Sequence, residues 1–176
     1  SVTIESMEEF DQINGYILYS KTLTYDAELN CIKIAGIRDR AHIFLNKKLI
    51  ATRMRGEDES ILELEEDLRS GDTIDILVEN MGRICYGEDT YFGDRKGITG
   101  AVMLTSRKNG VIRNPGKVSF NWDITCFEMD NADKVNFNDG VNAKYPAFFK
   151  GTFKAENKNS CFVHFKKKKK GIIYIN

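Results

Sequence analysis

DTIDILVENMGRICYG, residues 72–87, starts as a strand and ends as a turn. Ile74, Ile76, Leu77 and Val78 are apolar and mostly β-branched, the pattern of a core strand in a β-sandwich. Glu79, Asn80, Met81, Gly82 and Arg83 then break the pattern. Asn and Gly at a strand end supply the positive φ that turning needs, and Glu79 and Arg83 set opposite charges four residues apart. Asn80 and Arg83 are therefore read as fixing the turn, with Glu79 as partner for Arg83. Ile84, Cys85 and Tyr86 follow as a short second strand, which Gly87 closes.

On both sides of this stretch the periodicity is that of strands. Residues 15–23, 29–35, 40–45, 49–54, 61–64, 100–105 and 118–129 all read as β. Ile32 and Ile34 share one face of their strand, as do Ala41, Ile43 and Leu45 of theirs. Asn46 and Lys47 turn the chain between two strands, and Asn109, Gly110, Asn114, Pro115 and Gly116 mark turns around a short hairpin. Residues 88–96, EDTYFGDRK, read as a loop at one end of the sandwich. Residues 6–12 carry a short helical turn, with Ser6 as cap and Glu9 at capping-box spacing. His42 falls on the polar side of its strand, a surface position. Residues 130–145 are polar and rich in Asn, Asp and Gly, a linker by composition. Three more strands are expected over 146–155, 160–167 and 171–176. The expected division is thus a first sandwich over 1–129, the linker, and opening strands of an incomplete second domain over 146–176.

Lysine and arginine number 26, as do aspartate and glutamate, so the formal charge is zero and nothing global points to nucleic acid. Residues 57–67 hold seven acidic side chains and residues 144–170 nine lysines against one Glu, each read as a solvated face. Lys166 to Lys170 lie between two expected strands and read as a solvated loop. The four cysteines, Cys31, Cys85, Cys126 and Cys161, show neither CxxC nor a pairing with His suited to zinc. Cys31, Cys126 and Cys161 sit in apolar strand patterns, as buried reduced thiols do. No metal and no cofactor is expected. There is no apolar run of about 18 residues and no greasy leader, so no membrane contact is expected and a cytoplasmic location is favoured.

The 72–87 string resembles the DxLVENMGRVNYG segment of family 35 glycoside hydrolases, the β-galactosidases, where it lies in the all-β region after the catalytic barrel. Residues 15–19 (GYILY) resemble the family's GYxLYRT, 38–41 (RDRA) its DRAxVxVDG, and 96–100 (KGITG) its KGIxG. Residues 146–153 (PAFFKGTF) are similar to its PAFYxGxF, and 170–176 (KGIIYIN) to its KGxVxVNG. Six motifs in order span nearly the whole chain. The resemblance implies an all-β fold, a jelly-roll β-sandwich of the galactose-binding-domain kind with additional C-terminal strands. It also implies a chain that is part of a longer protein.

The function implied is that of the noncatalytic β portion of a β-galactosidase, which supports the catalytic barrel of the same parent chain and helps shape its substrate pocket. The alternative is a stand-alone carbohydrate-binding module for galactose-type sugars. Family hydrolysis needs two carboxylates about 5 Å apart. No motif for that pair occurs here, so there is no catalytic residue to name and the chain alone is expected to be inactive. The resemblance places Tyr86 on a loop that reaches the barrel, with Arg83 and Asn80 beside it as pocket residues. Tyr91, Phe92 and Trp122 are candidates for stacking on a sugar face. Ser20 and Lys21 stand where the family has Arg, and Cys85 replaces its Asn, which removes an amide donor and acceptor. Val163, Phe165, Ile172, Ile173 and Ile175 would leave an apolar face for self-association if nothing else covered it.

Overall fold

The strand expected at the start of residues 72–87 forms over Thr73–Glu79 and lies in the middle of the larger sheet. A computed structural model describes residues 4–57, 61–86, 93–119, 121–127, 129, 134–137, 147–154, 162, 164 and 173. In chain order its strands are β1 (Tyr16–Thr22), β2 (Cys31–Ile34), β3 (Ile37–Arg38), β4 (Arg40–Leu45), β5 (Lys48–Met54) and β6 (Ile61–Glu63). They continue with β7 (Thr73–Glu79), β8 (Gly97–Ile98), β9 (Val102–Lys108), β10 (Val111–Val118) and β11 (Asp123–Phe127). One antiparallel sheet runs β11-β1-β7-β4-β5 and a second runs β10-β9-β2-β6, while β3 and β8 form a two-residue ladder. The fold is all-β, an antiparallel sandwich of jelly-roll type.

Alternation decides which face of each strand is buried. Ile17 and Tyr19 of β1, Ile74, Ile76 and Val78 of β7, and Ala41 and Ile43 of β4 are buried in one core cluster. Ile32 and Ile34 of β2 and Val102 and Leu104 of β9 join it from the second sheet. Each fully buried aliphatic side chain there contributes about 1.5–3 kcal/mol relative to exposure. Two hairpins close on consecutive left-handed residues, Asn46 and Lys47 (φ 50° and 66°) and Asn109 and Gly110 (φ 54° and 77°). That geometry matches the right-handed twist of the strands it joins.

Within residues 1–129 four expectations about the elements are corrected. Residues 84–86 form no second strand, because the chain after Glu79 is held by side chains and not by a ladder. Asn114, Pro115 and Gly116 lie within β10, where the register to β9 shifts between Arg113 and Lys117; they make a bulge, as a proline without an N–H often does. The run 118–129 is divided between the end of β10 and β11. The turn near the N-terminus is a 3-10 helix, Met7–Phe10, but Ser6 makes no side-chain cap. The backbone of Ser6 is instead bridged to Gly97, and its buried hydroxyl has no partner among the described residues. Glu9, the other half of the expected box, pairs with Arg95.

The chain divides into two units, Ser1–Met129 and Asp130–Asn176. In the second, residues 147–154 belong to no strand, and Phe148, Phe149 and Phe153 are exposed. Most of the strands expected over 160–167 and 171–176 lies outside the described residues, as do Val163, Phe165, Ile172 and Ile175; Ile173 is exposed.

Candidate functional site: a loop on a buried ionic cluster

After Glu79 the backbone turns away from the sheet, and each step of residues 80–84 is held from below. The N–H of Asn80 donates to the Gly15 carbonyl (3.1 Å), and its side-chain oxygen accepts from the N–H of Gly82 (2.9 Å). The N–H of Met81 donates to Asp39 Oδ2 (2.8 Å), and that of Ile84 to Asp94 Oδ2 (2.9 Å). Asn80 Nδ2 and Arg83 Nη1 both donate to the carbonyl of Ile13, at 3.0 and 2.8 Å. Arg83 Nη2 reaches Glu8 Oε1 at 2.5 Å, and Glu79 pairs with Arg40. The expected Glu79 partnership of Arg83 is corrected accordingly. Strand alternation turns Glu79 toward its neighbour on β4 in register, Arg40, while Arg83 lies beyond the sheet.

The two carboxylates that hold the loop are themselves held by a lysine. Lys96 is fully buried, and its Nζ lies 2.9 Å from Asp39 Oδ2 and 3.0 Å from Asp94 Oδ2. Arg55 Nη1 adds a second cation, at 2.7 Å from Asp94 and 3.3 Å from Asp39. Two carboxylates thus face two cations. Charges out of water are tolerated only when paired and hydrogen-bonded in this way. Glu8 links the cluster to the 3-10 turn, since both its oxygens accept from the Lys96 N–H (3.1 and 3.0 Å). The Met7 N–H in turn donates to the Lys96 carbonyl (2.9 Å).

Four motifs therefore meet in one place. Asp39 and Arg40 come from RDRA, Lys96 and Gly97 from KGITG, residues 79–83 from the central stretch, and Gly15 and Tyr19 from GYILY. Tyr19 closes the arrangement from inside the core: its hydroxyl donates to the Glu5 carbonyl (2.8 Å) and accepts from the Ile98 N–H (3.1 Å). Burial pushes its phenol well above the ordinary value.

Burial alone would raise the pKa of Asp94, but hydrogen bonds from the Ile84 N–H, Lys96 and Arg55 outweigh it and bring the carboxyl from its ordinary 3.8 down to about 2. Arg55 answers in kind: burial lowers it, yet its bonds to Asp94 and Asp39 leave it raised. The folded state therefore binds the Asp94 proton more weakly than the unfolded chain does. Between those two values the unfolded chain holds more protons, so stability falls as the pH falls. For this buried carboxylate the contribution is about 2 kcal/mol, complete above about pH 4 and lost on acidification toward pH 2. Urea unfolding across that range should show the loss, and Asp94→Asn should flatten it.

The residues expected to form a site are distributed unevenly. Asn80 and Arg83 are spent on internal bonds, and Tyr86, where the described part of the loop ends, is 90% exposed. Cys85 beside it is also exposed. Trp122 packs against the core cluster, and its indole N–H donates to the Ser119 carbonyl (3.1 Å). Tyr91 and Phe92 lie outside the described residues. Half-buried His42 sits against Thr52 (3.1 Å) on the outer face of the sheet; burial and then the charge of Arg40 lower its affinity for a proton. Among the described residues no group of His, Cys, Asp or Glu could hold a metal, and no helix is long and apolar enough to cross a membrane.

The family described as "Beta-galactosidase, first all-beta domain" matches residues 5–125. The chain belongs to that family. Its curated relatives include a β-galactosidase of Xanthomonas manihotis, 28% identical over 99% of this chain and 27% of the relative. β-Galactosidase 17 of Arabidopsis thaliana is 25% identical over 97% of this chain and 27% of its own length. The β-galactosidase of Bos taurus is 27% identical over 94% of this chain and 27% of the relative. The chain spans about a quarter of the length of these relatives. It is a small all-β module of the β-galactosidase family, and no α/β barrel occurs among its described residues.

Glu8, Asp39, Arg55, Asp94 and Lys96 are site residues that the sequence reading misses. Asp39 and Lys96 lie inside quoted family motifs, so their positions carry a signal even though their pairing does not. Glu8, Arg55 and Asp94 lie in polar surroundings where nothing separates a buried charge from a solvated one.

Proposed function

We propose that this chain is the noncatalytic β-sandwich module of a β-galactosidase polypeptide, which supports the catalytic barrel and contributes Tyr86 to the wall of its sugar pocket. One observation carries the reading: loop 80–84 is fastened to a buried ionic cluster, so the exposed Tyr86 just beyond it is presented from a rigid base. A residue positioned on a supported loop loses little freedom when a partner or substrate engages it. The chain itself supplies position and contact, and hydrolysis falls to carboxylates elsewhere in the polypeptide.

The test is hydrolysis of a chromogenic β-galactoside by the complete gene product, by the same product lacking residues 1–176, and by residues 1–176 alone. The expected results are activity, loss of activity, and none. Tyr86→Ala in the complete gene product should lower kcat/KM by about tenfold or more, as loss of a stacking contact does. Hydrolysis by residues 1–176 alone would overturn the noncatalytic reading, and an unchanged kcat/KM in the variant would remove Tyr86 from the pocket. Stand-alone binding of galactose is the second reading, favoured by the exposure of Tyr86. Light scattering and sugar titration of the isolated chain separate that reading from the first.

A further inference from the structure

We propose that Asn14–Gly15 is a site of spontaneous deamidation, and that isoaspartate formed there frees Asn80, and with it the start of loop 80–84, from the backbone that holds it. Asparagine is thermolabile because the next backbone nitrogen can attack its side-chain carbonyl carbon, and a following glycine, without a Cβ, obstructs that approach least. Asn14 lies exposed in a bend between the 3-10 turn and β1. Gly15 after it has φ +83°, and a Cβ there would fall 2.1 Å from the Phe127 carbonyl oxygen. The fold therefore requires the very glycine that makes this asparagine labile. The other Asn-Gly pair, Asn109–Gly110, is different: both of its residues are left-handed, and the β9–β10 ladder closes directly on it.

Two side chains span the bond between Asn14 and Gly15. Asn80 does so from the loop: its Nδ2 donates to the Ile13 carbonyl (3.0 Å) and its backbone N–H to the Gly15 carbonyl (3.1 Å). Gln12, fully buried, does so from beneath, with Nε2 donating to the carbonyls of Asn14 (2.9 Å) and Tyr16 (2.8 Å). Each clamp fits one spacing of its two acceptors. In the reaction the Gly15 nitrogen bonds to Asn14 Cγ and gives up its proton, and the side-chain nitrogen leaves as ammonia. Water then opens the cyclic imide at one of its two carbonyls, which leaves aspartate or isoaspartate. In isoaspartate the chain runs through Cβ and Cγ, so a methylene, about 1.5 Å of bond length, enters the backbone between the carbonyls that Asn80 holds. The former Asn14 carbonyl becomes a pendant carboxylate, and the Gln12 clamp loses its spacing as well. Aspartate at position 14 adds the charge without the length.

Residues 1–176 are incubated in mildly alkaline buffer, and the deamidated protein, now more acidic, is separated by ion exchange. Peptide mass spectrometry locates the change, and resistance to an endoprotease that cleaves before aspartate identifies isoaspartate. Asn14 should convert, mainly to isoaspartate. In that fraction the amides of Asn80 and Gly82, one bonded to the Gly15 carbonyl and the other to the Asn80 side chain, should exchange faster by about tenfold or more, with the amides of β9 unchanged. Freshly purified Asn14→Asp should leave both amides slow. Asn14→Gln, whose longer side chain closes a ring less readily, should resist both the conversion and the acceleration. An Asn14 that stays intact in the folded chain but converts in urea overturns the proposal, as does isoaspartate at position 14 with both amides still slow. Equal acceleration in Asn14→Asp overturns it by assigning the effect to charge, and equal acceleration in β9 overturns it by assigning the effect to general unfolding.

Discussion

Lys96→Met is expected to destabilise the sandwich by about 3–5 kcal/mol, which moves the urea midpoint down by about 2 M. Methionine fills much of the volume, so the loss is electrostatic. Asp39 and Asp94, 7% and 4% exposed, would keep Arg55 as their cation and lose the one buried between them. Both carboxylates also anchor loop amides, so any movement of them that relieves the repulsion loosens the loop as well. Removing one partner of a buried pair costs far more than the pair contributes when intact, because the remaining charge is left uncompensated. Asp94→Asn added to Lys96→Met removes one of the stranded charges and should recover part of the loss. Lys48→Met, at an exposed strand end, should stay within about 0.5 kcal/mol of the parent. Fluorescence of Trp122, the single tryptophan, follows unfolding of the first unit. A Lys96→Met protein within about 1 kcal/mol of the parent would show that the cluster is not what holds this end together.

Gly97→Ala is the second large effect, about 2–5 kcal/mol. Gly97 has φ +86°, where an L residue costs about 1–2 kcal/mol. A methyl there would also stand 2.4 Å from the Tyr19 hydroxyl and 3.3 Å from Met7. Tyr19 is fully buried and its hydroxyl is bonded on both sides, to Glu5 and Ile98, so it has nowhere to retreat. Overpacking of that kind costs about 1–3 kcal/mol more. In a Tyr19→Phe background the clashing oxygen is gone, and Gly97→Ala should then cost only its backbone share of about 1–2 kcal/mol. Gly82 has φ +100° but a methyl added there would meet nothing within 4 Å, so its alanine variant isolates the backbone cost. Equal costs for Gly97→Ala in the two backgrounds would mean that Tyr19 does not pack against this backbone.

The strands were legible because alternation is a local signal. Ile74, Ile76 and Val78 announce a buried face whatever their partners are, and β4 forms over the residues its pattern marks, Arg40–Leu45. β7 was legible as a core strand for the same reason, while its place in the middle of the sheet comes from pairing with β1 and β4. Pairings of charge were not. Glu79 and Arg83 are close in sequence, yet the sheet register gives Glu79 to Arg40, and a turn far upstream gives Arg83 to Glu8. The cap at Ser6 was not legible either: its backbone takes part in a tertiary bridge to Gly97, and its side chain makes no cap. Lys96 shows the limit most clearly. A lysine preceding a glycine reads as solvent-exposed, and only the convergence of Asp39 and Asp94 makes it a core residue. The motifs marked where to look, but their meeting point is a property of the fold.

Amide hydrogen exchange at Met81 and Ile84 tests most directly that loop 80–84 is fastened to the buried cluster. Neither residue lies in a strand or helix, and an ordinary surface loop exchanges near its unprotected rate. Bonds to Asp39 and Asp94 should slow both amides to rates approaching those of β7, and Lys96→Met should release them. Exchange of both amides at the unprotected rate in the parent chain would contradict the account.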